Sequence, residues 1–384
     1  MNDTRIYFDN NATTCMLPEV VEAINHAGRT AFANPGSQHS FGRDARRTLD
    51  DARETIARIL NAEESEVVFT SGGTESINMA VQGLTAGRTG TIVATAGEHP
   101  ATLRSYDRAA VHGLRSLHLK VDSDGLLVES ELDGLPWNQL RLVSVILAHN
   151  ETGVIQRTKR LSDLCEHHRV PLLIDAVQAV GKIPVDFAAL KATALAFGAH
   201  KFHGPRGVGG LLIRRGVKLV PFMEGGHQEN GRRAGTEAVP LIAGMAKALE
   251  VWHESAGHRQ MMISEMRNQL QQRLLGECSP AIVHGYQAER LPNTLSIAFP
   301  GLSGEALLVN LHLAEVACSL GSTCASGSAE PAPALLAMGV PPDICLATVR
   351  LSLGILNTMD EVNDAANRIA EVVRRMRSSQ NPTG

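Results

Sequence analysis

The sequence predicts an α/β chain: a large domain built on a mostly parallel, seven-stranded sheet wrapped by helices, followed by a smaller α+β domain. Three observations carry this reading. From Val67 onward, seven short apolar runs (VVFT, TIVATA, LRSLHLKV, LVSVILA, PLLID, TALAFGA and GGLLI) alternate with helical or polar segments, the pattern of a parallel sheet with helical crossovers. Beyond Gly235 the pattern changes to long helices, with Leu241, Met245, Leu249 and Trp252 on one face and Met266, Leu270 and Leu274 on another. Near the end, NTLSIAFPG and TVRLSLG read as strands, and Glu361 to Met376 as an amphipathic closing helix. The expected division is an N-terminal segment, 1–15, packing with the small domain, a large domain, 16–258, and a small domain, 259–384.

Taken in order, Pro18 to Phe32 and Arg46 to Leu60 have helical spacing, and in the second Leu49, Ala52, Ile56, Ile59 and Leu60 share a face. Between them NPGSQHSFG, Asn34 to Gly42, reads as a polar loop. FTSGGTES, Phe69 to Ser76, reads as strand, glycine turn and a helix starting near Thr74, whose free backbone donors and dipole suit a phosphate. PLLIDAVQAVGK, Pro171 to Lys182, reads as a buried strand ending on Asp175, which places a carboxylate at the crevice of an open sheet. FGAHKFHGPRGVGG, Phe197 to Gly210, sets Lys201 between an apolar run and a glycine-rich turn, where burial beside His200 favours a nucleophilic amine. A lysine for an aldehyde, an acid for a pyridine nitrogen and a phosphate cradle together describe pyridoxal phosphate.

The bulk numbers narrow the classes. A chain of 384 residues, 43% hydrophobic and 20% charged, can bury a large core, and a net charge of -4 gives no footprint for nucleic acid. No run approaches the ~20 apolar residues of a membrane span, and MNDTRIYFDNNATT lacks a secretory pattern, so the expectation is a cytoplasmic protein without membrane partners. Six cysteines, Cys15, Cys165, Cys278, Cys318, Cys324 and Cys345, form no CxxC pair. Neither a disulfide framework nor a metal site is signalled, and reduced thiols are expected.

With these pieces in order, the chain resembles the cysteine desulfurases of the NifS and IscS type, which belong to the fold-type-I pyridoxal phosphate enzymes. The resemblance runs from YFDNNATT, Tyr7 to Thr14, through NPGSQHSFG, GGTES, GEHPAT, HNETG, IDAVQAVGK, HK, RAGTE and GSTCASGSAEP to SLGILNT near the C-terminus. It implies that Lys201 is the Schiff-base lysine, that Asp175 holds the pyridine nitrogen protonated, and that Gln178 hydrogen-bonds the phenolic oxygen. His99 is the ring-stacking histidine, with a share in proton transfer, and Gly73, Thr74 and His200 are phosphate ligands. Asn150 and Arg350 lie near the substrate carboxylate, where a guanidinium fork suits two oxygens. Cys324, on a stretch of small and polar residues, is the thiol that takes the sulfur. Thr236 reaches the phosphate of a neighbouring subunit, which implies a homodimer with shared sites.

The implied reaction takes sulfur from L-cysteine, leaving L-alanine and a Cys324 persulfide for an acceptor protein, a scaffold or sulfur carrier serving iron-sulfur cluster assembly or tRNA thiolation. Read on their own residues, His99 fits a packed core histidine, Arg350 an edge residue, and Thr236 a helix cap before Ala238. Cys165, Cys278 and Cys318 fit inert core thiols. The chain departs from the family at Gly198, commonly serine, and at His149, His227, Asn230, Pro100 and Thr323. These departures leave cofactor affinity open. Alternatives are a selenocysteine lyase, a kynureninase-like enzyme or aminotransferase, a non-catalytic paralogue and, from GPRGVGG alone, a dinucleotide oxidoreductase.

Overall fold

A computed structural model describes residues 5–320, 322–323 and 330–380. The seven apolar runs all become strands: β2 (Val67–Thr70), β3 (Gly90–Thr95), β4 (Leu114–Leu119), β5 (Leu140–Ile146), β6 (Leu172–Asp175), β7 (Ala194–Gly198) and β8 (Gly209–Ile213). They form one sheet in the order β2-β8-β7-β6-β5-β3-β4. All neighbours are parallel except β8, which runs antiparallel to both β2 and β7. Six of the strands, all but β4, are buried nearly end to end, which explains why they read as continuous apolar runs instead of alternating ones.

Helices cover both faces. Among them α1 (Pro18–Thr30), α2 (Ser40–Ile59), α3 (Gly73–Thr85), α4 (Pro100–Val111), α5 (Lys159–His168), α6 (Phe187–Leu190) and α7 (Val239–His253) enclose two cores, one on each side of the sheet. The helix expected from Arg46 starts six residues earlier, at Ser40. His39 caps it, its Nδ1 accepting from the Gly42 amide at 3.1 Å, and this local bond outweighs the turn character of the preceding stretch. The polar loop therefore ends at His39.

A third core surrounds a four-stranded antiparallel sheet, β12 (Ser319–Leu320), β15 (Thr348–Ser352), β10 (Thr294–Ala298) and β9 (Ile282–Val283) in that order. Helices α8 (Ala256–Glu277), α9 (Gly304–Leu313) and α12 (Met359–Gln380) pack on it, and two short helices, α10 (Pro333–Ala337) and α11 (Pro342–Leu346), lie between its later strands. The junction expected at 258/259 falls inside α8. Strand β1 (Ile6–Tyr7) pairs in parallel with β11 (Val316–Ala317), and β13 (Ser322–Thr323) pairs with β14 (Glu330–Pro331). Ile6 and Phe8 are buried in this third core, and the chain then bonds to β15 through the Asn10 amide and Ser352 oxygen, 3.0 Å. The next residues reach the ends of the parallel strands.

Candidate active site

The parallel strands end on one side of the large sheet, and the turns that follow them enclose a cavity of about 340 Å³. Lys201 enters it from a single tight turn after β7, its Nζ donating to the carbonyls of Asn11 (2.7 Å) and Ala12 (2.9 Å). Burial, together with the nearby Arg350 cation, pushes its ammonium down to about 8. Asp175 is the last residue of β6, and the Val177 amide donates to its Oδ1 at 2.9 Å. Burial raises this carboxyl to about 6, with the amide bond and Lys201 pulling the other way.

At the other end of the cavity, α3 starts directly after the β2 turn. Gly72 has φ of 151°, and a Cβ on Gly73 would come within 2.5 Å of Val177 Cγ2, so both positions require glycine for the helix end to approach β6. No side chain caps this helix. Gly73, Thr74 and His200 line the same wall of the cavity, and His200 Nδ1 lies 3.2 Å from Thr13 Oγ1. Burial and the Lys201 charge push His200 down to about 4, which leaves its imidazole neutral. At Gly198 a Cβ would sit 3.3 Å from the Gly73 amide nitrogen, so β7 packs directly against the helix end.

His99 caps α4, its Nδ1 accepting from the Ala101 amide at 3.1 Å, so the neutral ring carries its proton on Nε2. Burial, then Lys201 and His149, push its pKa down to about 4. Its neighbour His149 is held between the Glu151 amide (3.1 Å to Nδ1) and the Gly97 carbonyl (2.8 Å from Nε2) and is also neutral by burial. His99 is thus both a helix cap and a wall of the cavity.

Arg350 is buried on β15, an inner strand of the small sheet, so the edge reading does not hold. Its Nη2 meets Asp9 Oδ1 at 3.0 Å and its Nη1 meets Glu151 Oε1 at 3.0 Å. Asn150 Nδ2 donates to the same Glu151 oxygen at 2.6 Å. Gln178 lines the cavity, with its Nε2 donating to the Asn11 carbonyl at 2.9 Å and its Oε1 accepting from Lys182.

Two site residues predicted from sequence stand apart. Thr236 is exposed and does not line the cavity, and it does not cap α7, whose N-cap is Ala238 without a side-chain bond. Cys324 lies outside the described residues. Cys165 and Cys278 are buried as expected, and burial pushes the Cys318 thiol up to about 12, which keeps it protonated.

Several residues that sequence reasoning passed over are at the centre of the site. Asn11 is 1% exposed, and its side chain binds the Asn150 carbonyl (3.0 Å), Thr294 Oγ1 (2.9 Å), Asn293 (3.0 Å) and Lys182 (2.8 Å). Lys182 is a second lysine, half-buried and driven well below the ordinary lysine value by desolvation, then by Lys201 and Arg350. Its signal in the sequence was the four-residue spacing from Gln178, one helical turn. Glu98, buried next to His99, accepts from Thr95 Oγ1 and the Ile146 amide, and burial raises it to about 8. Asp9 and Glu151 carried no local signal.

The donor set fits pyridoxal phosphate on this chain's own terms. An uncapped helix N-terminus with open backbone donors faces one end of the cavity, a buried carboxylate faces another wall, and an amine with depressed pKa stands between them.

Fold and site together define an α/β enzyme of the kind that closes its cavity at the ends of a mostly parallel sheet. The chain belongs to the class-V aminotransferase family, whose model matches residues 6–364. It is 39% identical over 378 residues to the cysteine desulfurase of Nostoc sp., covering 97% of this chain and 94% of that one. The cysteine desulfurase NifS of Azotobacter vinelandii is 37% identical over 376 residues, with 97% and 94% covered. Among solved structures, a NifS-like protein superimposes with a TM-score of 0.90 at 34% identity, covering 97% of this chain and all of that one. SspA in complex with cysteine superimposes with a TM-score of 0.79 at 28% identity, covering 90% and 98%.

Proposed function

We infer that this protein is a cysteine desulfurase that uses pyridoxal phosphate to convert L-cysteine to L-alanine. The supporting observation is the placement of Lys201, Asp175 and Arg350 around one cavity, in a chain whose full-length relatives carry that activity. Gly73, Thr74 and His200 would hold the phosphate, Asp175 the ring nitrogen and Gln178 the phenolic oxygen, and His99 would contact the ring. When bound, the cofactor supplies an aldehyde for the lysine and a ring that stabilises charge developing at the substrate Cα.

The chain's own groups do the rest. With its pKa near 8, Lys201 is unprotonated in about one molecule in ten at pH 7, enough to act as nucleophile and then take the Cα proton. Neutral His99 presents its Nε2–H as a hydrogen-bond donor without placing a second cation beside Lys201. Arg350 and Asn150 orient the substrate through its carboxylate. Cys324 then attacks the substrate sulfur: an S–S bond forms, the Cβ–S bond breaks, and its electron pair stays on the three-carbon fragment, which takes up a proton and leaves as alanine. The thiol is left as a persulfide for an acceptor protein.

Thr236 supports a homodimer, since it is exposed on a chain whose own cavity it does not line. No helix among the described residues is long and apolar enough to cross a membrane.

The test is to incubate cofactor-loaded protein with L-cysteine and a thiol reductant, and to follow alanine, sulfide and the mass at Cys324. Lys201→Ala should lose borohydride-trappable cofactor and reduce alanine formation by roughly a thousandfold or more. Cys324→Ala should keep the trapped adduct and stop persulfide formation. Sulfide release by Cys324→Ala at the wild-type rate would remove that cysteine from the reaction.

A further inference from the structure

We infer that Glu151 is a resident carboxylate: it occupies the substrate-carboxylate subsite in the resting enzyme and swings out when an amino acid enters, thereby setting affinity and selectivity for α-carboxylates. This deepens, and rests on, the reading that Asn150 and Arg350 receive the substrate carboxylate. The two donors are already bridged. Glu151 Oε1 accepts from Asn150 Nδ2 at 2.6 Å and from Arg350 Nη1 at 3.0 Å, so one carboxylate oxygen stands where a substrate oxygen would have to stand. Both donors line the cavity.

The charge count requires an exchange. Arg350 already carries two carboxylates, Glu151 on one arm of its fork and Asp9 on the other. A third anion on one buried cation would face repulsion that water does not screen, so one carboxylate must leave as the substrate's arrives. Asp9 is the poorer candidate for departure. Its Oδ1 also accepts from Ser319 Oγ at 2.8 Å, and its backbone is bridged to Ser352. Glu151 has a longer side chain and follows β5 in a turn. Its Oε2 is buried with no hydrogen-bond partner among the described residues, so no bond holds it in place, and its side chain as a whole remains 19% exposed. It can therefore reach solvent by rotating its own bonds.

The exchange leaves no charge stranded. Arg350 trades one carboxylate for another while Glu151 is hydrated outside, which avoids the large cost of an unpaired buried ion. A ligand without a carboxylate cannot make the trade, so the subsite stays closed to simple amines. Binding of an amino acid is weakened by the same competition.

The test uses holoenzyme and two ligands that differ only in the carboxylate, L-alanine and ethylamine, titrated by calorimetry against wild type, Glu151→Gln, Glu151→Ala and Arg350→Gln. Melting curves and cofactor absorbance check that each variant is folded and loaded. The expected result is an L-alanine Kd lowered about fivefold or more in Glu151→Gln, and at least as much in Glu151→Ala, with the ethylamine Kd unmoved. The KM for L-cysteine should fall in the same proportion. An L-alanine Kd that stays level or rises in both Glu151 variants, while Arg350→Gln weakens L-alanine, overturns the inference and makes Glu151 a fixed partner of Arg350. If Arg350→Gln leaves the alanine-to-ethylamine ratio at the wild-type value, the reading of Arg350 fails, and the role of Glu151 fails with it.

Discussion

The two walls of the cavity are built on different plans. On the wall proposed to hold the cofactor, Asp175, Lys201, Gly73 and His99 each sit at the end of a strand or the start of a helix of the large sheet, and the backbone of each is set by neighbours within a few residues. On the opposite wall, Arg350 and Asn11, with Asp9 and Glu151 behind them, come from the small sheet, the N-terminal segment and a turn after β5; Arg350 is placed by its two carboxylates and Asn11 by the Asn150 carbonyl. The first wall is preorganised by backbone. The second is held by hydrogen bonds and ion pairs between groups that are far apart along the chain, so it is the wall that can rearrange when a ligand arrives.

That contrast predicts how variants should divide. The largest effect belongs to the cofactor wall. Asp175→Asn keeps the shape of β6 but removes the carboxylate proposed to face the ring nitrogen, and alanine formation should fall on the order of a hundredfold or more while KM for L-cysteine changes little. Steady-state kinetics that instead showed a KM defect would place Asp175 on the substrate side and erase the distinction.

A smaller effect is expected at Lys182, which joins the two walls. It donates to Gln178 Oε1 and to Asn11 Oδ1, and so fixes the Gln178 amide with its nitrogen toward Asn11 and the cavity. Lys182→Met should permit the amide to turn over, shift the absorbance of the bound cofactor and lower kcat about tenfold. Since burial already disfavours the Lys182 charge, thermal stability should change less than for a broken surface-to-core ion pair. An unaltered cofactor spectrum would mean that Gln178 holds its orientation without help.

The smallest effect concerns stability alone. Glu98 is raised to about 8 by burial, whereas the unfolded chain titrates near ~4.3, so between those values the unfolded state gives up a proton that the folded state keeps. Stability contributed by the protonated carboxyl is therefore complete below the lower value and declines as pH rises toward the upper one. Glu98→Gln can still accept from Thr95 and the Ile146 amide through its oxygen, and its melting temperature should drop by a few degrees less than wild type between pH 5 and pH 8. Parallel melting curves across that range would show that Glu98 is ionised in the folded protein.

Legibility followed the same divide. The positions of Asp175, Lys201 and the α3 N-terminus could be read because a strand, a glycine turn and a helix start are written in consecutive residues. Arg350 was reached through resemblance, and its burial contradicted the local reading of an edge strand. Asn11 could be quoted within a motif but not assigned, because nothing near it shows that its side chain will meet Lys182, Asn293, Thr294 and the carbonyl of Asn150.

By itself, then, the chain determined its seven sheet strands, the change to long helices after Gly235, and the residues that cap and close each turn at the ends of the parallel strands. These depend on apolar periodicity and on hydrogen bonds spanning a handful of positions. Packing of the small sheet against the large one decided the rest: which carboxylates meet Arg350, which carbonyls receive Lys201, and why Lys182 is half-buried. The physical reason is distance along the chain. Residues 9, 151 and 350 acquire a common environment only when two separate cores have formed and the N-terminal segment lies across both, and no local propensity records that event.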